Sequence, residues 1–283
     1  EAFKPFKESM IKALGNDLLK ENSITVLDQY ASNGNTTITS MGITTDDPNI
    51  IRLYEHMSSE KSTFINRFLS KIGLFPDRKP TVRHFVFVRF DALQIIPESV
   101  DNGDDFFRMV GIKFWYDGSP YSGTMYIDTP YLDNDLTNEK LHYPHSHSGV
   151  ALLDRDNLKQ AISKYQDDGW QIAVHAQGDK AIREVLDTFE LVDDENADHR
   201  HRLEHCLLLE KKSIKRMQEL NIHPSFHINH LYYYGEVLSE SIIGDKRTET
   251  ILPVKNAEDE GLTYSIHADQ PMFESDPLGL VHT

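Results

Sequence analysis

Between Ile172 and Glu190 the sequence IAVHAQGDKAIREVLDTFE leaves few choices of fold. A short apolar run reads as a buried strand, and Ile182, Val185, Leu186 and Phe189 recur at the spacing of an amphipathic helix. His175 stands where the strand runs out. Gly178 and Asp179 make the turn, with Asp179 placed to cap the first free N–H groups of the helix. A strand that ends in a histidine just before a βα turn is how a (β/α)8 barrel presents its chemistry, at the C-terminal rim. The pattern recurs at His201-Arg-Leu-Glu-His-Cys206, which offers His205.

The rest of the chain reads as strands alternating with helices. Helix is expected up to about residue 35, first on Met10, Ile11, Leu14, Leu18 and Leu19, then on Ile24, Val26, Leu27 and Tyr30, closed by Asn33-Gly34. A β-branched strand at 36–43 is followed by helix from about 50 to 72, with Tyr54, Met57, Phe64, Phe68 and Ile72 as its apolar contacts. Further strands are expected at 82–90, 110–115, around Leu203, at 223–226 and at 262–266, with helices over 158–168, 180–191 and from Ser213. A looser segment runs to about Ile243. Seven strands alternating with helices imply a parallel α/β sheet. The connection 117–150, rich in Tyr, Pro, Gly, Asp and Asn, has too few periodic apolar positions for a packed element; it reads as an ordered loop over the C-terminal face.

With 283 residues the chain suffices for one barrel domain, 1–283. A formal net charge of −16 argues against nucleic acid or an anionic membrane as partner. The apolar runs are too short to span a bilayer, so a soluble protein is expected, cytoplasmic or exported. The single cysteine, Cys206, excludes an internal disulfide and is read as core, pointing away from His205.

In order, the strand ends offer Lys113, His175, His205, His227 or His230, and Asp269. Imidazoles and carboxylates are ligands for zinc and similar ions. Any one such histidine can instead be a half-buried residue bonded to backbone; several on successive strands, followed by an aspartate, favour a metal. Lys113, flanked by apolar residues, reads from spacing alone as a barrel lysine beside an acid. His142, His145 and His147 lie in the loop as surface or lid residues, and His199 and His201 flank an acidic turn they help to position. His230 and the Tyr232–Tyr234 run are candidates either for orienting substrate or for a lid packed by its own aromatics.

The pieces Val174-His-Ala-Gln-Gly-Asp-Lys-Ala181, Arg202-Leu-Glu-His205, Lys113-Phe-Trp-Tyr-Asp-Gly-Ser119 and Ile266-His-Ala-Asp-Gln-Pro271 resemble the amidohydrolase superfamily, in its N-substituted-formamide-deformylase-like branch. The resemblance implies a distorted (β/α)8 barrel of the TIM type with one or two divalent ions, zinc foremost, at its C-terminal face. It makes His175 and His205 metal ligands, Lys113 a carboxylated lysine bridging two ions, and Asp269 a metal-bound carboxylate and the catalytic general base. His230 and Tyr233 are then the substrate-binding candidates, and the substrate is a small amide or N-substituted formamide. The His-x-His that ends the first strand in such proteins has no counterpart here: the lone His145-Ser-His147 follows no apolar strand. The chain is therefore expected to lack strand 1 and the accessory β-sandwich, as an internal fragment would. Unpaired barrel edges recruit another chain, are covered by a loop or cause aggregation, so a homo-oligomer through them is one expected outcome. The rival functions are another superfamily hydrolase, a deaminase or lactonase, and a non-catalytic binding or regulatory protein on a degraded barrel.

Overall fold

The computed structural model describes residues 21–43, 48–59, 68, 71–72, 80–192 and 198–283. One sheet organises them: β1 (Thr37–Ile43), β2 (Arg83–Arg89), β3 (Phe107–Trp115), β4 (Gln171–Ala176), β5 (Arg202–His205), β6 (His223–His227) and β7 (Ser265–His267), hydrogen-bonded in that order. Every pairing is parallel. The helices are α1 (Pro48–Ser58), α2 (Arg155–Asp167), α3 (Asp179–Glu190), α4 (Lys211–Glu219), α5 (Asn229–Val237), α6 (Asp245–Thr248), α7 (Val254–Asp259) and α8 (Pro277–His282). Sequential parallel order with helical crossovers is the winding of a (β/α) barrel. Here the winding stops short of closure, because β1 and β7 each have one paired neighbour among the described residues.

The central strands β3 and β4 carry apolar runs because both faces are covered. Ile112, Ile172, Ala173 and Val174 are buried, as are Ile182, Val185, Leu186 and Phe189 on the inner face of α3. Burying each such aliphatic side chain contributes roughly 1.5–3 kcal/mol, which holds α3, and so the turn before it, in a fixed place.

The opening between β1 and β7 is strapped rather than paired. The helical residues 21–32 lie beside it, with Leu27 packed among Met57 and Val82. Asn33 donates to Glu274 Oε1 at 3.0 Å and to the Ser275 carbonyl at 3.3 Å, and Asn35 donates to the same carbonyl at 3.0 Å. These side-chain bonds tie the segment before β1 to the segment after β7 without supplying a ladder.

Several expectations need correction. Asp179 is the first residue of α3, not its cap; Gly178 stands at the N-cap without a capping side chain, and Asp179 Oδ1 accepts from Asp128 N and Lys180 N. The segment after β6 is helical, because α5 runs into a π-type turn at Leu238–Ile242. Its three consecutive tyrosines hide the period, and only Asn229 and His230 of α5 are buried. Phe68 and Ile72 are exposed rather than packed, while Met10, Ile11, Leu14, Leu18, Leu19 and Phe64 lie outside the described residues. Helices α7 and α8 carry too few apolar positions to have been read. His201 does not serve the acidic turn: its Nδ1 accepts from Ile172 N at 3.0 Å and its Nε2 meets Gln166 Oε1 at 3.0 Å, joining β4 to α2.

Loop 117–150 contains no strand, only a 3-10 turn at Pro120–Ser122 and a π-type turn at Asp135–Lys140. It nevertheless buries Met125, Ile127, Tyr131 and Tyr143, so it is part of the core and not merely laid over it. Asp117 anchors it, accepting from Tyr126 N at 3.0 Å, Gln177 N at 3.0 Å and Gly178 N at 2.9 Å. A Cβ on Gly178 would stand 1.9 Å from the Tyr126 carbonyl oxygen. Gly178→Ala is therefore expected to lift the loop off the β4–α3 turn, lowering stability in urea by about 2–3 kcal/mol. An unchanged midpoint would mean that the loop is not held there.

Candidate metal centre

Because parallel strands end on one rim, their last residues converge. His175 is opposite Glu204, His205 is level with Ala176 and Phe226, and His227 is opposite His267. His230 joins them from the first turn of α5. The rings touch in sequence: centroids are 4.3 Å apart for His175 and His205, 5.6 Å for His205 and His227, and 4.2 Å for His227 and His230. His267 lies 5.0 Å from both His205 and His227. His205 and Cys206 take positive φ, 73° and 49°. This kink coincides with the end of β5 and leaves Cys206 buried, with its thiol donating to the Leu203 carbonyl.

A cavity of about 1190 Å³ opens over this cluster. Its walls include Lys113, His175, His205, His230 and Asp269. Asp269 is exposed, in left-handed backbone at φ 57° just past β7. His175 Nε2 contacts the Gly118 carbonyl at 3.2 Å and lies 3.5 Å from Asp117 Oδ1. Tyr233 stands outside the cavity, stacked on Phe273 at 4.6 Å and 56% exposed.

Burial dominates the electrostatics. It pushes His175 down to about 3, His227 to about 2 and His230 to about 4, and carries His205 well below the usual imidazole range, with the neighbouring rings adding to the effect. These rings are neutral at pH 7. Burial likewise pushes Lys113 down to about 8, against the pull of Glu204 and Asp269. Burial alone would raise Glu204, but Arg202, bonded to it at 2.7 Å, and Lys113 outweigh that and hold it below the usual carboxylate range. Burial raises Asp117 to about 7 despite its three backbone donors.

His205 Nδ1, His227 Nε2, His230 Nε2 and His267 Nε2 are buried without a hydrogen-bond partner. An unmatched buried nitrogen costs about 1–3 kcal/mol. A divalent ion satisfies several at once, and neutral imidazoles are its commonest ligands. The donor set therefore fits such an ion. Sequence reasoning passed over His267, Glu204 and Asp117. With the last strand placed one residue short, His267 fell beyond it, although its motif had been noticed. Glu204 and Asp117 lie inside the quoted motifs, but their roles are not local: Glu204 faces Lys113 as well as its neighbour Arg202, and Asp117 accepts from Gln177 and Gly178.

The amidohydrolase family profile matches residues 4–283. The chain belongs to the amidohydrolase family. It is 27% identical to YtcJ of Bacillus subtilis over 192 residues, 64% of this chain and 33% of that protein. It is also 27% identical to the N-substituted formamide deformylase of Arthrobacter pascens over 139 residues, 49% of this chain and 26% of that one. Among solved structures, a metal-dependent hydrolase from Pyrococcus furiosus superposes with a TM-score of 0.67 at 20% identity, over 93% of this chain and 48% of that one. The amidohydrolase chain thus spans about a third or less of these curated relatives and about half of the structural one. The likeness to that structure establishes the fold, a partial metal-dependent-hydrolase barrel. No helix among the described residues is long and apolar enough to cross a membrane.

Proposed function

We propose that this amidohydrolase hydrolyses a C–N bond of a small amide or N-substituted formamide, using one or two divalent ions, with zinc the best match to its donors. The observation that carries the reading is the group of buried, neutral imidazoles with unpartnered nitrogens facing one cavity at the C-terminal rim. His175 and His205 would hold the ion together with Asp269, and Lys113, if carboxylated, would complete a second position. A bound divalent ion supplies Lewis acidity at the carbonyl oxygen and makes a nearby water more acidic.

Asp269, at the edge of the cavity and open to solvent, takes the proton of the attacking water and returns it to the leaving amine. The C–O bond forms as the carbonyl opens to a tetrahedral carbon, and the C–N bond breaks when the carbonyl re-forms and the amine takes the proton. His230, which lines the same cavity, orients the substrate. The name of the Arthrobacter pascens relative supports the formamide choice. The test is hydrolysis of an amide and formamide panel with metal supplied and removed. Turnover that appears only with metal is expected. Metal uptake with no turnover of any substrate would instead support the binding-protein reading.

Asp269→Asn is expected to lower kcat about 10²–10⁴-fold, the worth of a general base, with little change in Tm because the residue is exposed. An unaltered kcat would remove Asp269 as the base. Carboxylation needs the neutral amine, which burial makes accessible at Lys113 near neutral pH. Modification of Lys113 should then follow metal occupancy, as read by ¹³C-bicarbonate NMR. An unmodified ammonium in metal-loaded protein would leave a mononuclear site.

A further inference from the structure

We propose that Tyr121 sets His230 as a hydrogen-bond donor: the phenol O–H donates to His230 Nδ1, and His230 Nε2 carries the proton that meets the substrate's carbonyl oxygen as it becomes an oxyanion. This rests on the hydrolase reading above and gives His230 its chemical task within it. The Tyr121 hydroxyl and His230 Nδ1 stand 2.7 Å apart, and His230 is 2% exposed. A neutral imidazole has one N–H and one lone pair, so its proton lies on Nε2 or on Nδ1. A phenol O–H is the better donor of the two groups, and an imidazole lone pair the better acceptor. Burial raises the Tyr121 pKa, so the phenol keeps its proton to give. Were Nδ1 the donor, the phenol proton and the Nε2 lone pair would both need further partners, and among the described residues neither has one. With the phenol donating, only the Nε2 proton remains unmatched. Leaving fewer buried polar groups unmatched costs less, which fixes the direction of the bond.

Tyr121 is built to hold that position. Its backbone N–H donates to Ser119 Oγ at 3.2 Å. Its ring lies 4.6 Å from Tyr234 and 5.5 Å from His230, which share one face of α5 four residues apart. Loop 117–150 thereby reaches the cavity through a residue that does not itself line it. His230 does line it, with Lys113, His175, His205 and Asp269, and one of its ring nitrogens is within 4.8 Å of one of His205. When water adds to the carbonyl carbon, the C=O π pair moves onto oxygen, and the Nε2–H hydrogen bond to that oxygen strengthens. No proton crosses this bond; Asp269 carries the water's proton to the amine. A donor whose bond strengthens as charge develops favours the transition state over the bound substrate. An Nε2 that carries hydrogen has no lone pair for an ion, so His230 stands apart from the imidazoles that would hold metal.

Histidine ¹⁵N NMR of the purified protein reads the tautomer directly, with His230 assigned by its absence in His230→Gln. A single Nε2–H tautomer is expected at His230, with Nδ1 in the range of a nitrogen that accepts a hydrogen bond, in metal-free and zinc-loaded protein alike. Tyr121→Phe should move Nδ1 to the position of a free lone pair. In steady-state kinetics His230→Leu should lower kcat about 10²–10³-fold, the worth of one oxyanion donor, with little change in KM. His230→Gln keeps an N–H donor and should recover part of that loss. Tyr121→Phe should lower kcat about 2–10-fold, as for one hydrogen bond, again without moving KM. Zinc uptake should be unchanged in all three variants. Circular dichroism and Tm check folding, and Tyr121→Phe, which keeps the ring, stands in if a His230 variant fails to fold. A proton on Nδ1 in wild type, loss of the Nε2 proton on adding zinc, or a wild-type kcat in His230→Leu overturns the proposal. An Nε2–H tautomer that depends on Tyr121, in a protein that hydrolyses no amide or formamide, keeps the Tyr121–His230 donor and removes the hydrolase reading, and the oxyanion role with it.

Discussion

His205→Asn is expected to abolish both metal uptake and turnover while leaving the barrel folded. His205 is one of the two imidazoles proposed to hold the ion, and its ring stands among His175, His227 and His267, so its loss removes the middle of the cluster. Removing a residue that merely supports a ligand costs about 10–100-fold in metal affinity, and removing the ligand itself should exceed that, with kcat falling below detection. Asparagine is the right replacement because His205 sits at φ 73°. Asparagine tolerates the left-handed region, and its short side chain cannot reach an ion placed for an imidazole. Metal content after dialysis, Tm and hydrolysis are the measurements. Full metal occupancy in the variant would show that the centre lies elsewhere in the cavity.

Acid should unfold the metal-free protein steeply, beginning just below neutrality. His175, His205, His227 and His230 all have folded pKa values pushed down by burial, while in the unfolded chain each titrates near the ordinary value of about 6.5. Between those limits the unfolded state binds protons that the folded state cannot, so stability is present above about pH 6.5 and is lost as pH falls. Each such ring costs about 1.4 kcal/mol per pH unit over that window. Two of them reach about 4 kcal/mol by pH 5, a large part of a typical stability of 5–15 kcal/mol. Asp117 works the other way. Its raised folded pKa stabilises at low pH and is lost as pH rises toward about 7, but it is one group against several. Lys113, lowered to about 8, has paid its cost in full below that pH and adds no slope. Urea titrations of chelator-treated protein from pH 7 to 5 give the proton uptake on unfolding. Uptake of fewer than two protons would mean that the rings are hydrated and charged in the folded state.

Chain-local information determined the alternation of elements and the residues that end the strands. A buried parallel strand must be an apolar run, and a helix packed on a sheet must repeat its apolar face, so the stretch from Ile172 to Glu190 carries its β4–turn–α3 structure on its surface. The same logic applied to β1, β2, β3, β5 and β6, and the family was legible because its short motifs lie at those ends. The open edge was legible too, since no strand precedes β1 among the described residues and β1 and β7 do not pair.

What only the tertiary structure decided is which side chains meet. His227, His230 and His205 lie on separate elements, and their grouping follows from strand register and the kink at His205, neither of which any local pattern encodes. Tyr121 reaches His230 across 109 residues of sequence. Asp117 closes loop 117–150 on the β4–α3 turn through backbone N–H groups that any sequence would possess. Tyr233, conspicuous in a run of three tyrosines, stacks on Phe273, a partner forty residues away that no local pattern names. A strand's apolar pattern states that it is buried but not which neighbours cover it. The imidazoles' environment, and hence their charge, depends on those neighbours.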